Sequence, residues 1–221
     1  MKKILSPLTF SLAALLFLSL AATSARADSV TFVADTLLTG SNSVTGSATV
    51  SITDIGATGN VRITVTNNTN GDLTNISLNY TPAFSGAGTI TYVSGTGPVP
   101  ISVVFGNNNV NAPGGTNFDV NFDLPTGQPG GRLNAGESVT FDLDAASALS
   151  ASGFNTFSFD GKQSFYILVH IQAINPGGNS AKLIGGPAPV PEPATMFLLG
   201  TGLAGVAAKM RKRRKAAKEA E

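Results

Sequence analysis

The 221-residue chain has one imidazole, His170, and no cysteine, so the chemistry open to its side chains is narrow. Without thiols there is no disulfide scaffold, no thiolate nucleophile and no cysteine-ligated zinc. A lone histidine also excludes multi-histidine metal centres, though not carboxylate ones. In the run Phe165–Ile174, alternation sets Phe165, Ile167, Val169 and Ile171 on one face and Tyr166, Leu168 and His170 on the other. A catalytic His170 would need a nucleophile and an orienting acid in reach. Serines and aspartates abound, but no Gly-x-Ser-x-Gly elbow occurs. His170 therefore reads as a structural or surface residue.

Four carboxylates form the other candidate constellation. Asp119 and Asp123 lie on the polar side of the alternating run Phe118–Leu124, and Asp142 and Asp144 on that of Val139–Asp144. If the two strands are neighbours, the four share one sheet face. Like charges set opposite each other are destabilising, and a calcium ion with oxygen ligands would relieve that. The four are candidate calcium ligands on this condition. With no Asp-x-Asp-x-Asp-Gly loop, the plainer expectation is that they solvate an outer face. Paired carboxylates also serve glycosidases, yet the chain offers three Tyr and no Trp as sugar platforms. Asn67, Asn75 and Asn79 each open an Asn-x-Ser/Thr triplet, a pattern that arises by chance in an Asn/Thr-rich strand protein. A glycine-rich phosphate loop is absent, and the acidic middle of the chain argues against nucleic acid as a partner.

The elements that would carry these groups are strands. Between residue 28 and about 184, apolar and polar residues alternate in Val61–Thr66, Ile76–Tyr80, Phe118–Leu124, Val139–Asp144, Phe157–Asp160 and Phe165–Ile174. Thr31–Val33, Val44–Ile55, Thr89–Val93 and Ile101–Phe105 continue the pattern more weakly. No window has a convincing helical period. Short strands with one buried face, separated by Asn-Gly and Pro-Gly-Gly turns, predict an all-β domain, an antiparallel β-sandwich over residues 28–186. Most of the phenylalanines fall in this segment, which is long enough to bury a core without staples.

Charge divides the chain in three. Residues 1–27 hold three bases and no acid, residues 28–190 four bases against ten acids, and residues 191–221 seven bases against three acids. The first segment has Lys2-Lys3, an uncharged run Leu8–Ala22, and Ala25-Arg26-Ala27 ahead of Asp28, the order of a signal peptide read by the secretion machinery. The last has four prolines in 187–193, then an uncharged run 194–208, then a basic cluster. Fifteen helical residues span about 22 Å, short of a ~30 Å hydrocarbon core. Snorkelling by Lys209, Arg211, Lys212, Arg213 and Arg214 lengthens the effective span, and the positive-inside rule keeps those cations on the cytoplasmic side of the membrane. A single C-terminal transmembrane helix, with the β-domain outside the cytoplasm, is the expected topology.

Val190-Pro191-Glu192-Pro193-Ala194-Thr195, the hydrophobic run and the basic cluster together resemble the tripartite PEP-CTERM sorting signal of exported proteins in Gram-negative bacteria. The resemblance implies a sorting signal over 187–221, recognised through Pro191, Glu192 and Pro193 by an exosortase, a membrane-embedded transpeptidase-like enzyme. That enzyme would process the signal and send the ectodomain to the cell surface or exopolysaccharide. The expectation is a non-enzymatic surface or matrix protein with a structural or adhesive role and no required cofactor. A calcium-dependent carbohydrate-binding module is the alternative, and a hydrolase with paired carboxylates in a concave site is a third.

Overall fold

Alternating apolar residues need a shared interior, and here that interior is enclosed by one continuous sheet. A computed structural model of the chain describes residues 29–56, 59–111, 117–126, 131–157, 165–174, 178–188, 201–203 and 205–206. Ten strands run in chain order: β1 (Ser29–Gly40), β2 (Ala48–Ile55), β3 (Asn60–Asn67), β4 (Asp72–Leu78), β5 (Gly86–Gly95), β6 (Ser102–Asn111), β7 (Asn117–Asp123), β8 (Ser138–Ala145), β9 (Ile167–Ile174) and β10 (Asn179–Pro187). A 3-10 turn, Ala151–Phe154, is capped by the Ser150 hydroxyl, which accepts from the Gly153 amide at 3.2 Å. Every strand pairs antiparallel with both neighbours in the closed order β1-β10-β9-β4-β7-β6-β5-β8-β3-β2.

The expected sandwich is therefore a closed ten-stranded barrel. Two places join what would otherwise be two separate sheets. β1 pairs with β2 over Ser29–Ala34 and with β10 over Phe32–Gly40, changing partner through irregularities after Ala34 and Leu37. Such bulges add twist and bend a strand around a corner. On the other side β5 and β6 are held by two residue pairs alone, Gly86 with Phe105 and Ala87 with Val104, before β5 continues along β8. Period-two alternation is the same for a sandwich and a barrel, because both bury one face of each strand. Only the corner strands tell them apart.

Side chains fill the interior. Val61, Ile63 and Val65 of β3, Val139, Phe141 and Leu143 of β8, and Val50 and Ile52 of β2 point inward and are buried. Phe122 of β7 meets Phe141 at a ring-centroid distance of 5.9 Å, although two strands separate β7 from β8 around the wall. At the corner where β5 and β6 part, Tyr80, Phe84, Phe105 and Phe154 form a ring cluster. Tyr80 anchors it, its hydroxyl donating to the Ala148 carbonyl at 3.3 Å and accepting from the Ser150 amide at 3.1 Å.

β10 is closely fitted. A Cβ at Gly185 would collide with the Val33 carbonyl oxygen of β1, so the seam between these strands closes only over a glycine. Antiparallel pairing sets Phe32 beside Pro187. The start of β1 and the end of β10 thus leave the barrel side by side at one rim.

Residues from Ala188 onward form a second compact unit, of which 201–203 and 205–206 are described as helical and exposed. Among the described residues no helix is long and apolar enough to cross a membrane. The expected signal peptide 1–27, the motif Pro191–Pro193 and the cations from Lys209 to Arg214 lie outside the described residues, as does most of the expected span 194–208.

Asn67 ends β3 fully buried and fully bonded. Its amide donates to the carbonyls of Gly71 and Leu133 at 2.8 Å each, and its oxygen accepts from the Thr69 amide at 3.0 Å and the Thr69 hydroxyl at 2.7 Å. Removing one partner strands buried groups that cannot reach water. Asn67→Ala is expected to cost at least about 2 kcal/mol of stability. The check is a thermal melt, in which the midpoint falls by roughly 4–8 °C.

Candidate functional site

Strands β4 and β7 are buried on both faces over most of their length, and on the outer face of β9 His170 and Gln172 are half-buried, which sets this part of the wall apart. Their inward residues join the core: Ile76 pairs with Phe122 on one side and Val169 on the other. The outward residues are polar, and register sets them in a row. Lys182 of β10 lies opposite His170 of β9, His170 opposite Asn75 of β4, Asn75 opposite Asp123 of β7, and Asp123 opposite Ser102 of β6. A second row continues with Leu168, Ser77 and Asn121.

Hydrogen bonds lock the rows together. Asp123 Oδ1 accepts from Asn75 Nδ2 at 2.6 Å and from Asn121 Nδ2 at 3.1 Å, and Oδ2 accepts from the Ser102 hydroxyl at 3.4 Å. The Ser77 hydroxyl contacts the side-chain oxygens of Asn75 at 3.1 Å and Asn121 at 2.8 Å. Thr74 is the extra residue where β4 slips register against β9, and such bulges re-aim side chains. Its hydroxyl lies 3.2 Å from His170 Nδ1 and also donates to the His170 carbonyl at 3.2 Å. Burial, aided by the charge of Lys182, holds the His170 imidazole below its ordinary pKa. The ring is thus neutral at neutral pH, with one nitrogen able to donate and the other to accept.

These residues line a cleft of about 330 Å³ formed by Thr74, Asn75, Ile101, Ser102, Asp123, Leu124, Thr126, His170 and Gln172. They come from the start of β4 and β6 and the end of β7 and β9. The cleft therefore lies toward the rim opposite the one from which the two chain ends leave. Beside it, Arg132 reaches Asp72 at 3.5 Å.

His170 and Asp123, the imidazole and one of the four expected carboxylates, are brought into one cleft, where the hydroxyl in contact with the ring is that of Thr74. Ser102 and His170 are three strands apart in the row, about 14 Å at the usual strand spacing, and Ser102 bonds instead to Asp123. Among the described residues, Asp123 is the one carboxylate that lines the cleft.

The calcium expectation loses its geometric condition. β5 and β6 stand between β7 and β8, so the four aspartates do not lie on neighbouring strands. Asp119 accepts from the Tyr80 amide at 3.1 Å, Asp142 pairs with Arg62 at 2.7 Å and 3.0 Å, and Asp144 is exposed on β8. Among the described residues no three acidic or histidine side chains gather as metal ligands. The glycosylation triplets are closed off as well: Asn67, Asn75 and Asn79 are 0%, 5% and 1% exposed. Asn75, Ser102, Thr74 and Gln172 were not legible as site residues, because alternation assigns a face to each residue but not a neighbour.

The fold and these sites define an all-β body joined to a C-terminal tail of distinct composition. The tail is identified directly: residues 189–214 match the PEP-CTERM protein-sorting motif, and the chain is thereby marked as an exosortase substrate. Proteins with this motif are exported and associate with membrane or surface through exosortase. No curated protein and no solved structure matches the chain.

The depressed His170 pKa makes a pH prediction. The unfolded chain, with an ordinary imidazole near 6.5, binds a proton more readily than the folded one, so stability is full above that pH and falls as pH drops below it. Melts at pH 7.5 and 5.5 should show a lower midpoint at 5.5, and His170→Gln should flatten that difference.

Proposed function

We propose that this is a non-enzymatic surface or matrix protein, exported by its signal peptide and held at the inner membrane by its C-terminal helix. Exosortase then frees it for a structural or adhesive role at the cell surface or in exopolysaccharide. The observation that carries this reading is the pairing of β1 with β10. The barrel begins at Ser29, two residues beyond the expected signal-peptide cleavage after Ala27, and its last strand ends at Pro187, two residues before the matched motif. Every barrel strand therefore lies between the two removable ends, and removing both leaves the ring of hydrogen bonds whole.

Mass spectrometry of the protein from wild-type cells and from cells lacking exosortase tests this reading. The wild type is expected to yield a chain that begins near Asp28 and has lost Ala194–Glu221, and the mutant a membrane-bound chain that runs to Glu221. An intact tail on the wild-type surface protein would contradict the proposal.

A further inference from the structure

We propose that the cleft beside Asp123 and His170 binds a neutral sugar residue through a pair of adjacent ring hydroxyls. The inference deepens the adhesive reading and rests on it for its biological setting, though the binding itself is a property of the barrel. The cleft volume of about 330 Å³ falls in the range of small-ligand sites.

The lining chooses the ligand class. It is built from amides, hydroxyls, a neutral imidazole and one carboxylate, with no cation among the lining residues to recruit an anionic group. Asp123 spends Oδ1 on two amide donors, whereas Oδ2 has only the long 3.4 Å contact from Ser102, leaving acceptor capacity toward the cleft. His170 is fixed through Nδ1 by Thr74, which leaves Nε2 for a ligand. The Gln172 amide adds a donor and an acceptor on the same strand, two residues away on the same face. A group that donates and accepts at one atom satisfies such a mixed set, and a hydroxyl is that group. Two hydroxyls on adjacent carbons engage a carboxylate and an amide together. Ile101, 70% exposed on the cleft wall, supplies apolar surface for the C–H side of a sugar ring.

Rigidity favours this use. Asn75 is 5% exposed and Asn121 7%, and their bonds to Asp123 hold the carboxylate before a ligand arrives. Little side-chain entropy is then lost at the centre of the site on binding. With no aromatic platform among the lining residues, single-site affinity should be weak, roughly millimolar, and useful through many copies on a polymer.

The test uses the processed protein recovered from cells, isotope-labelled and followed by NMR during titration. The probes are cellobiose, maltose, glucuronate and glucosamine. Saturable shifts confined to amides of residues 74–75, 101–102, 123–126 and 170–172 are expected with a neutral disaccharide. Gln172→Ala should weaken binding at least about fivefold, while Thr91→Ala on exposed β5 leaves it unchanged, both variants keeping the wild-type melting midpoint. Thr126→Ala provides a second cleft variant should Gln172→Ala fail to fold. Absence of saturable shifts in this region with all four probes overturns the proposal, as does binding of glucuronate alone or equal binding by the Gln172→Ala variant. Loss of exosortase processing would instead count against the sorting reading and leave these shifts unaffected.

Discussion

The pairing of β1 with β10 is the constraint from which the rest follows. It closes the ring, and it does so with the first and last strands of the body, so the chain ends leave together beside Phe32 and Pro187. A chain whose two ends are both handled at a membrane gains from this arrangement. Cleavage near either end removes residues outside the hydrogen-bonded ring. The cost falls on sequence: Gly185 must remain without a side chain, because the Val33 carbonyl occupies the space a Cβ would take.

Closure also explains where the polar chemistry gathers. In a ten-membered ring every strand has two partners, so outward residues from five successive strands, β10, β9, β4, β7 and β6, align in a row from Lys182 to Ser102. A half-buried carboxylate in such a row needs donors, and Asn75, Asn121 and Ser102 supply them. Of the cleft hydroxyls, Ser102 stands three strands from the imidazole and bonds to Asp123, whereas Thr74 lies against the His170 ring and holds it in place. The same separation of strands keeps Asp119 and Asp123 of β7 apart from Asp142 and Asp144 of β8.

Much of the fold was legible in the sequence for a plain physical reason: burial of one face enforces period two. Val61–Thr66, Phe118–Leu124 and Val139–Asp144 announced β3, β7 and β8 nearly in full. β10 was missed because Gly185, Gly186 and Pro187 weaken strand propensity, and its place depends on a close approach to β1 that composition does not reveal. Barrel closure was missed because it rests on bulges in β1 and two residue pairs between β5 and β6. The sorting motif was legible outright, since it is local: three features in order within some thirty residues. The cleft was not, because Asp123, Asn75 and His170 come together only through strand order.

Hydrogen exchange on the protein recovered from outside the cell tests most directly whether the last strand before the tail closes the body. The account predicts that amides of Ala181–Gly185, in the C-terminal peptide of the processed chain, are protected as strongly as those of β3. Free exchange across β10 while β2, β3 and β8 remain protected would contradict it, because the ring would then be open at the seam that joins the two chain ends.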